Sequence, residues 1–76
     1  MEKINGVVET YYGNDQLKSR SNFKNDKLNG LYETGYENGK QKSRTNLKNG
    51  KLNGVCEVWY KNGQLWERGL FKDDKP

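Results

Sequence analysis

Among the side chains of this sequence that could do acid–base chemistry, three glutamates, Glu9, Glu33 and Glu57, recur every 24 residues. Two carboxylates can act as general acid and general base, but the sequence holds no histidine, the commonest general base and metal ligand. The single cysteine, Cys56, can form no internal disulfide and supplies no zinc-binding cluster. We therefore predict a protein that is not an enzyme and that has no cofactor and no metal site.

The spacing of the glutamates reflects a repeat of the whole sequence. Residues 4–27, 28–51 and 52–75 align without a gap, so the chain is one 24-residue unit present three times. A period of this length is typical of stacked supersecondary units, which present extended surfaces rather than deep catalytic pockets. We predict a single repeat domain over residues 1–76. The positions identical in all three repeats are Asn5/Asn29/Asn53, Gly6/Gly30/Gly54, Glu9/Glu33/Glu57, Tyr12/Tyr36/Tyr60, Asn14/Asn38/Asn62, Arg20/Arg44/Arg68, Lys24/Lys48/Lys72 and Lys27/Lys51/Lys75.

Composition limits the class of protein. Apolar residues make up 30% of the chain and charged residues 32%, which alone would favour disorder. The apolar residues nevertheless recur at fixed positions, and this regularity favours a folded array. The net charge of +4 is mild and favours acidic partners only slightly. No apolar run is long enough to span a membrane and no apolar signal segment begins the sequence, so we expect a cytoplasmic protein. The frequent lysine and asparagine are typical of low-GC bacteria.

Two turn signals divide each repeat into two strands. The first turns are Asn14–Asp15, Asn38–Gly39 and Asn62–Gly63, and the second are Asn25–Asp26, Asn49–Gly50 and Asp73–Asp74. Asn-Gly favours two-residue type I′ hairpin turns because both central residues adopt positive φ. We therefore predict an all-β fold, an antiparallel meander of three β-hairpin repeats that forms a single curved, twisted sheet of about six strands. The predicted strands cover residues 6–12, 16–23, 28–36, 40–47, 52–60 and 64–71.

The turn positions also predict which residues face each other. A two-residue turn at Asn62–Gly63 places Glu57 opposite Arg68, and the same rule pairs Glu9 with Arg20 and Glu33 with Arg44. It also predicts a cross-strand pair of Trp59 and Trp66. The invariant Glu and Arg thus become partners in every repeat, which supports this register. We expect this Glu–Arg ladder to be structural, and we expect Gly6, Gly30 and Gly54 to mark bends or bulges.

Alternation along the strands assigns the side chains to two faces. Nothing in the sequence remains to cover the apolar face, and an exposed apolar patch usually marks an interaction site. The charged tail at residues 72–76, which ends in Pro76, is expected to protect the last edge strand. Face one is predicted to carry Val8, Thr10, Tyr12, Leu17, Phe23, Leu28, Tyr32, Tyr36, Leu47, Leu52, Cys56, Val58, Tyr60, Leu65 and Phe71. Face two is predicted to carry the Glu–Arg ladder with Tyr11, Lys18, Lys42, Trp59 and Trp66.

The residues Tyr36-Glu-Asn-Gly39, Ser43-Arg44 and 47–54 (Leu-Lys-Asn-Gly-Lys-Leu-Asn-Gly) resemble the MORN repeat (membrane occupation and recognition nexus). The resemblance covers nearly the whole chain and is greatest to a bacterial variant assigned to the antitoxins of toxin–antitoxin systems. It implies a meander of β-hairpins with roles in scaffolding, lipid contact or toxin neutralisation. The chain departs from the pattern where Gly35 replaces an aromatic residue, Gln41 replaces leucine, and Asp15 and Asp26 replace turn glycines, so we expect a weaker apolar surface in the middle repeat.

These observations predict a non-catalytic protein-binding module, whose partner, by the resemblance, is a toxin or an effector enzyme that it neutralises by direct binding. An inhibitor of a bacterial defence enzyme, encoded by a phage or mobile element, belongs to the same class. Tryptophan, tyrosine and arginine dominate interface energetics, which makes them the first candidates for contact. The predicted contact residues are Tyr11, Trp59, Trp66, Arg44, Arg68, Lys18 and Lys42. The alternative set, on the apolar face, is Tyr12, Tyr32, Tyr36, Tyr60 and Phe71.

Two other functions remain open from the sequence. A structural or scaffolding protein would self-associate, as a homodimer through the apolar face or through its open edge strands. A binder of anionic lipid or single-stranded nucleic acid would use Lys18, Lys42 and the arginines, because basic residues beside aromatic ones suit both ligands. Binding of lipid or nucleic acid is disfavoured because each arginine has a glutamate opposite it, which leaves little net positive charge on face two.

Overall fold

In a computed structural model, which describes residues 3–75, the chain forms one open antiparallel sheet without a helix. The strands lie in the order β1–β2–β4–β5–β6–β7, and the short β3 pairs with β2 alone. The predicted all-β meander is confirmed. The strands are β1 (Gly6–Tyr11), β2 (Leu17–Lys24), β3 (Lys27–Leu28), β4 (Gly30–Gly35), β5 (Gln41–Lys48), β6 (Lys51–Trp59) and β7 (Leu65–Phe71).

The third predicted strand is divided at Asn29 into β3 and β4. Asn29 N donates to Asn22 O at 2.8 Å, so the pairing continues across the break although its register changes there. The next residue, Gly30, has a φ of +105°, and Gly6 and Gly54 have φ of +109° and +108°. A side chain rarely adopts this conformation, which explains why glycine recurs at this position. The pairing is irregular beside Gly30 and Gly54, so the predicted bulges are confirmed at these two glycines.

The first turn of each repeat is a three-residue loop, not the predicted two-residue type I′ turn. In the first repeat Asp15 N donates to Tyr12 O at 3.0 Å, and Tyr12 N donates to Gln16 O at 2.9 Å. Only the third loop residue has positive φ, at +69° for Asp15. This pattern is a type I turn followed by a left-handed residue, the usual three-residue hairpin loop. The prediction failed because Asn-Gly suits the end of this loop as well as a two-residue turn.

The second turn of each repeat has the predicted two-residue form. Asn25 and Asp26 have φ of +52° and +67°, and Asn49 and Gly50 have φ of +52° and +82°. Positive φ at both central residues defines the type I′ turn. In the last repeat this turn is closed by the pairing of Lys72 with Lys75, so the expected edge-protecting tail folds back as a hairpin. Pro76, the end of that tail, lies outside the described residues.

The sheet is a single layer. All the described strands belong to that one sheet, and the molecule measures 39 × 32 × 10 Å. None of the described apolar side chains is buried, and Gly35 is the only described residue that is. The fold within residues 3–75 therefore has no enclosed hydrophobic core, and both faces of the sheet remain open.

Side-chain hydrogen bonds to the backbone join successive repeats. We call the boundary between the first and second repeats the first junction, and that between the second and third repeats the second junction. Tyr12 Oη donates to Gly35 O across the first, and Tyr36 Oη donates to Trp59 O across the second, both at 2.7 Å. The same side-chain amides are used at both junctions, which are therefore nearly equivalent. These bonds are Asn14 Nδ2 to Glu37 O (2.8 Å), Asn38 Nδ2 to Lys61 O (2.9 Å), Asn22 Nδ2 to Leu31 O (2.6 Å) and Asn46 Nδ2 to Val55 O (3.0 Å).

Candidate functional site

The Glu–Arg ladder forms in the predicted register. Glu9 lies opposite Arg20, and Arg20 Nε donates to Glu9 Oε2 at 2.8 Å while its Nη1 lies 3.8 Å from Glu33 Oε1. This hydrogen bond to Glu9, together with the negative charge of that residue, raises the pKa of Arg20 above its usual range. At the other end Arg68 Nη2 lies 2.6 Å from Glu57 Oε2. The glutamates are thus held as partners of arginines.

Arg44, in the middle of the ladder, makes no ion pair with any described residue. It lies opposite Glu33 on one side and Glu57 on the other. Glu57 forms an ion pair with Arg68, and Glu33 accepts a hydrogen bond of 3.0 Å from Gln41 Nε2. The other repeats carry leucine at the position of Gln41, so only in the middle repeat does this position donate a hydrogen bond to the glutamate. Arg44 therefore keeps its charge available beside an open groove on face two.

One residue of each repeat lies in a β-bulge near the start of its second long strand. In the third repeat Val58 pairs with Glu67 and Trp59 pairs with Leu65, so Trp66 has no partner opposite it. Lys18 and Lys42 occupy the equivalent bulges of the first and second repeats (their register shifts fall at Thr10/Tyr11 and Thr34/Gly35). A bulge redirects the side chain of its extra residue. The predicted pair of Trp59 with Trp66 is therefore wrong.

The bulges turn these side chains onto the repeat tyrosines of face one. Trp66 stacks on Tyr60 with ring centroids 5.5 Å apart and an interplanar angle of 23°. Lys18 Nζ lies 5.8 Å from the centre of the Tyr12 ring, and Lys42 Nζ lies equally far from Tyr36. The predicted placement of Lys18, Lys42 and Trp66 on face two is wrong for this reason.

Leu17 and Leu65 are displaced in the opposite direction by the same bulges. Leu17 pairs with Tyr11 and Leu65 pairs with Trp59, and residues that pair directly project to the same face. Both leucines therefore lie on face two, and their predicted placement on face one is wrong. The predicted anchors Tyr11, Trp59 and Trp66 do not form one cluster, because Tyr11 lies on the edge strand β1 and Trp66 lies on the other face.

The most exposed apolar side chains lie in or next to the two outer strands. Those near β7 include Trp66, which is 61% exposed, and Leu70, which is 71% exposed. Leu70 was not singled out by the sequence analysis, although one signal was available. Its position holds asparagine in the first two repeats and leucine only in the third. The full set is Ile4, Val7, Val8 and Tyr11 at the first edge, and Tyr60, Leu65, Trp66 and Leu70 at the last.

The remaining candidates of face one are packing residues. Tyr32 is half-buried in β4 opposite Thr45, and Phe71 is half-buried against Gly69, where an added Cβ would lie 3.0 Å from its ring. Cys56 is half-buried, with its Sγ 3.4 Å from Thr45 Oγ1. The hydroxyl groups of Tyr12 and Tyr36 donate hydrogen bonds to backbone carbonyl groups at the two junctions. Among the tyrosines predicted for contact on face one, Tyr60 is the one that combines an exposed ring with a hydroxyl group that bonds no described residue.

The described residues contain no group of three or more Asp, Glu, His or Cys that could hold a metal ion. Nor does that part of the chain form a helix with the length and apolarity to cross a membrane. The chemistry that the surface offers is therefore contact: an aromatic stack at one corner of the sheet, ammonium groups over tyrosine rings, and one guanidinium that pairs with no carboxylate of residues 3–75.

A repeated β-hairpin sheet with exposed edge aromatics defines a class of non-globular repeat protein with extended, open surfaces. The chain matches the MORN repeat variant family over residues 4–25 and 52–73, which together make up more than half of it, and it belongs to that family. Repeats of this kind generally serve as protein- or membrane-binding modules. The matched segments lie in the first and third repeats, and the middle repeat departs from the pattern at Gly35 and Gln41. Comparison with curated proteins and with solved structures found no match.

Proposed function

We propose that the chain is a non-catalytic protein-binding module whose main contact is the aromatic clasp, the stacked pair Trp66 and Tyr60. One observation carries this proposal: the clasp is 61% exposed at Trp66 and 48% exposed at Tyr60, in a chain whose first two repeats carry lysine at the equivalent bulge. Tryptophan and tyrosine are the side chains that most often supply the central energy of protein interfaces. A stacked pair is also held in place before binding, which lowers the entropy lost on contact.

The surroundings of the clasp favour a partner with acidic groups. Lys42 and Lys61 line an open groove on face one together with Tyr36 and one acidic residue, Glu37, and Lys61 directly follows Tyr60 of the clasp in the sequence. Neither lysine makes an ion pair with a described residue, and the whole chain carries a net charge of +4. Complementary charge of this kind accelerates and orients association more than it adds affinity. Arg44 and Arg68, which were predicted as rim contacts, lie on face two and would touch a different surface of a partner.

A more specific version of this proposal, the finer form, is that the chain is an antitoxin that masks a toxin or an effector enzyme. Its support is the resemblance of the repeats, together with a surface suited to masking. A small sheet of 39 × 32 Å can cover the mouth of an active site without any chemistry of its own. The finer form predicts that the captured partner is an enzyme whose activity falls as the chain is added in stoichiometric amounts.

The test exchanges Trp66 for the residue that the other repeats carry. Trp66→Lys reproduces the bulge of the first two repeats, so the sheet is expected to fold while the clasp is lost. The immobilised wild-type chain should retain a specific protein from an extract of the source cells. Titration of that purified protein should then show binding at least tenfold weaker for Trp66→Lys, a loss of about 1.4 kcal/mol. Lys18→Ala, at the equivalent position of the distant repeat, is the control and should bind like wild type. Equal affinity of Trp66→Lys and wild type contradicts the proposal.

Two other functions are compatible with the family. Contact with anionic lipid or single-stranded nucleic acid would use Lys18 and Lys42, which lie on one face over tyrosine rings. It predicts binding that weakens steeply with salt. Scaffolding through self-association is favoured by a separate observation, the open edges of the sheet.

A further inference from the structure

The two edges of the sheet carry the complementary halves of a third junction. Within the chain, the hydroxyl of each repeat's Tyr and the amide of its Asn at the first turn donate to backbone carbonyls of the following repeat. In the last repeat, Tyr60 Oη and Asn62 Nδ2 occupy the same positions and donate to no described residue. They stand at the outer edge, formed by β7.

The first edge, formed by β1, holds the matching acceptors. The carbonyls that accept from a preceding repeat belong to residues 35 and 37 at the first junction and to residues 59 and 61 at the second. One repeat earlier the same positions are Tyr11 and Gly13. Because β1 is the outermost strand, no described strand covers these carbonyl groups. An edge with donors and an edge with acceptors, both with the spacing of one repeat, suit each other.

The side chains of the two edges are also complementary. The amide that Asn22 and Asn46 extend to the next repeat is replaced by Leu70, whose counterpart across the edge would be Val7. Leu70 is 71% exposed and Val7 is 58% exposed, so each would shield the other from water. An apolar pair thus stands where the internal junctions use a hydrogen bond.

The charged residues and the side-chain sizes at the two edges also suit this arrangement. Arg20 reaches Glu33 across the first junction at 3.8 Å, and the equivalent contact would join Arg68 to Glu9. At the first junction Gly35 leaves no room for a side chain, since an added Cβ would lie 2.5 Å from Leu17 O. The second junction accommodates Trp59 at the equivalent position. Tyr11 is the corresponding residue of β1, so the new contact would resemble the second junction, where this position also carries an aromatic side chain.

We propose that copies of this chain associate head to tail, with β7 of one copy adding to β1 of the next so that the repeat continues between molecules. The contact joins two different surfaces, which generates rings or open chains rather than a two-fold dimer. The proposal does not depend on the clasp or on a foreign protein partner. It assigns to the exposed edges a second copy of the chain, because that copy alone presents the same repeat spacing on the opposite edge.

The experiment replaces an apolar pair across the proposed contact by two opposite charges, one residue at a time. Association is measured by light scattering at low salt over a concentration series. The mass of the wild-type chain should rise continuously with concentration above the 8.9 kDa of one copy. Leu70→Lys should weaken this association at least tenfold, because a lysine on an edge strand opposes pairing. Adding Val7→Glu should restore it, since the introduced ammonium group of one copy would meet the introduced carboxylate of the next. Within one chain these positions lie on opposite edges of the sheet, so restoration requires contact between molecules.

The control is Leu70→Lys combined with Val8→Glu, which places the same charge on the other face of β1 and should not restore association. Circular dichroism of each variant checks that the sheet is formed. Three results overturn the proposal: a wild-type mass of 8.9 kDa at all concentrations, a fixed dimer, or association that Leu70→Lys and its Val7→Glu partner leave unchanged. Loss of binding to a foreign partner in these variants is measured separately and does not bear on it.

Discussion

At the scale of single residues, the three invariant tyrosines do different work although they occupy the same position in the repeat. Tyr12 and Tyr36 bond backbone carbonyls of the next repeat at 2.7 Å, and lysine ammonium groups lie over their rings. Tyr60 has no following repeat in the described chain, and tryptophan replaces lysine over its ring. The same residue is thus a structural link inside the array and, in the function we propose, a contact residue at its end.

This difference predicts opposite outcomes for one substitution at two equivalent positions. Tyr36→Phe removes the donor to Trp59 O in a partly buried site, and we expect it to lower the free energy of unfolding by about 1 kcal/mol. Tyr60→Phe keeps the stacked ring and loses a hydroxyl group that bonds no described residue, so its stability should match wild type. Urea unfolding at low protein concentration measures both. A Tyr60→Phe loss as large as that of Tyr36→Phe contradicts the distinction.

At the scale of strands and turns, the sequence was sufficient for the six long strands and for the Glu–Arg register, but not for the break at Asn29 that divides one strand in two. The ladder register was correct although the turn type was wrong. A three-residue loop and a bulge together occupy the same length of chain as a two-residue turn with one further cross-strand pair. The strands beyond the bulge therefore keep their register, while Lys18, Lys42 and Trp66 change face.

The face of these side chains could not be predicted because strand alternation carries no signal for a bulge. Residues 16–18, 40–42 and 64–66 contain no glycine or proline to mark an irregularity. The clasp was therefore missed, even though Trp66 and Tyr60 were each named as candidates. The fold follows from the period of the sequence, whereas the position of the clasp depends on the geometry of the bulge.

Strand spacing at the first junction leads to a further prediction. Gly35 is the only described residue that is buried, and a Cβ there would lie 2.5 Å from Leu17 O of the adjacent strand. Gly35→Ala should destabilise the sheet by about 1–3 kcal/mol, because the backbone of β2 must move away. Gly13→Ala is the control, since a Cβ there meets nothing within 4 Å and should cost far less. Thermal unfolding followed by circular dichroism compares the two, and equal losses contradict the close approach.

At the scale of the whole molecule, residues 3–75 form a thin sheet whose repeats are joined through polar groups rather than a buried core. The internal repeats satisfy their side-chain donors within the array, and the outer strands are left with the exposed apolar residues. Exposed apolar surface is therefore concentrated at the two ends of the sheet. We propose that the aromatic clasp contacts a foreign protein and that the edges contact another copy of the chain.

The most direct test of the proposed binding function is site-specific photo-crosslinking in the source cells. A benzophenone side chain would be placed at position 66, and in matched chains at positions 18 and 42, which are the same bulge in the other repeats. We predict that position 66 crosslinks one foreign protein and that position 18 does not, with mass spectrometry separating this product from crosslinks between copies of the chain. Equal capture of the same protein from position 18, or no foreign protein from position 66, would contradict the account.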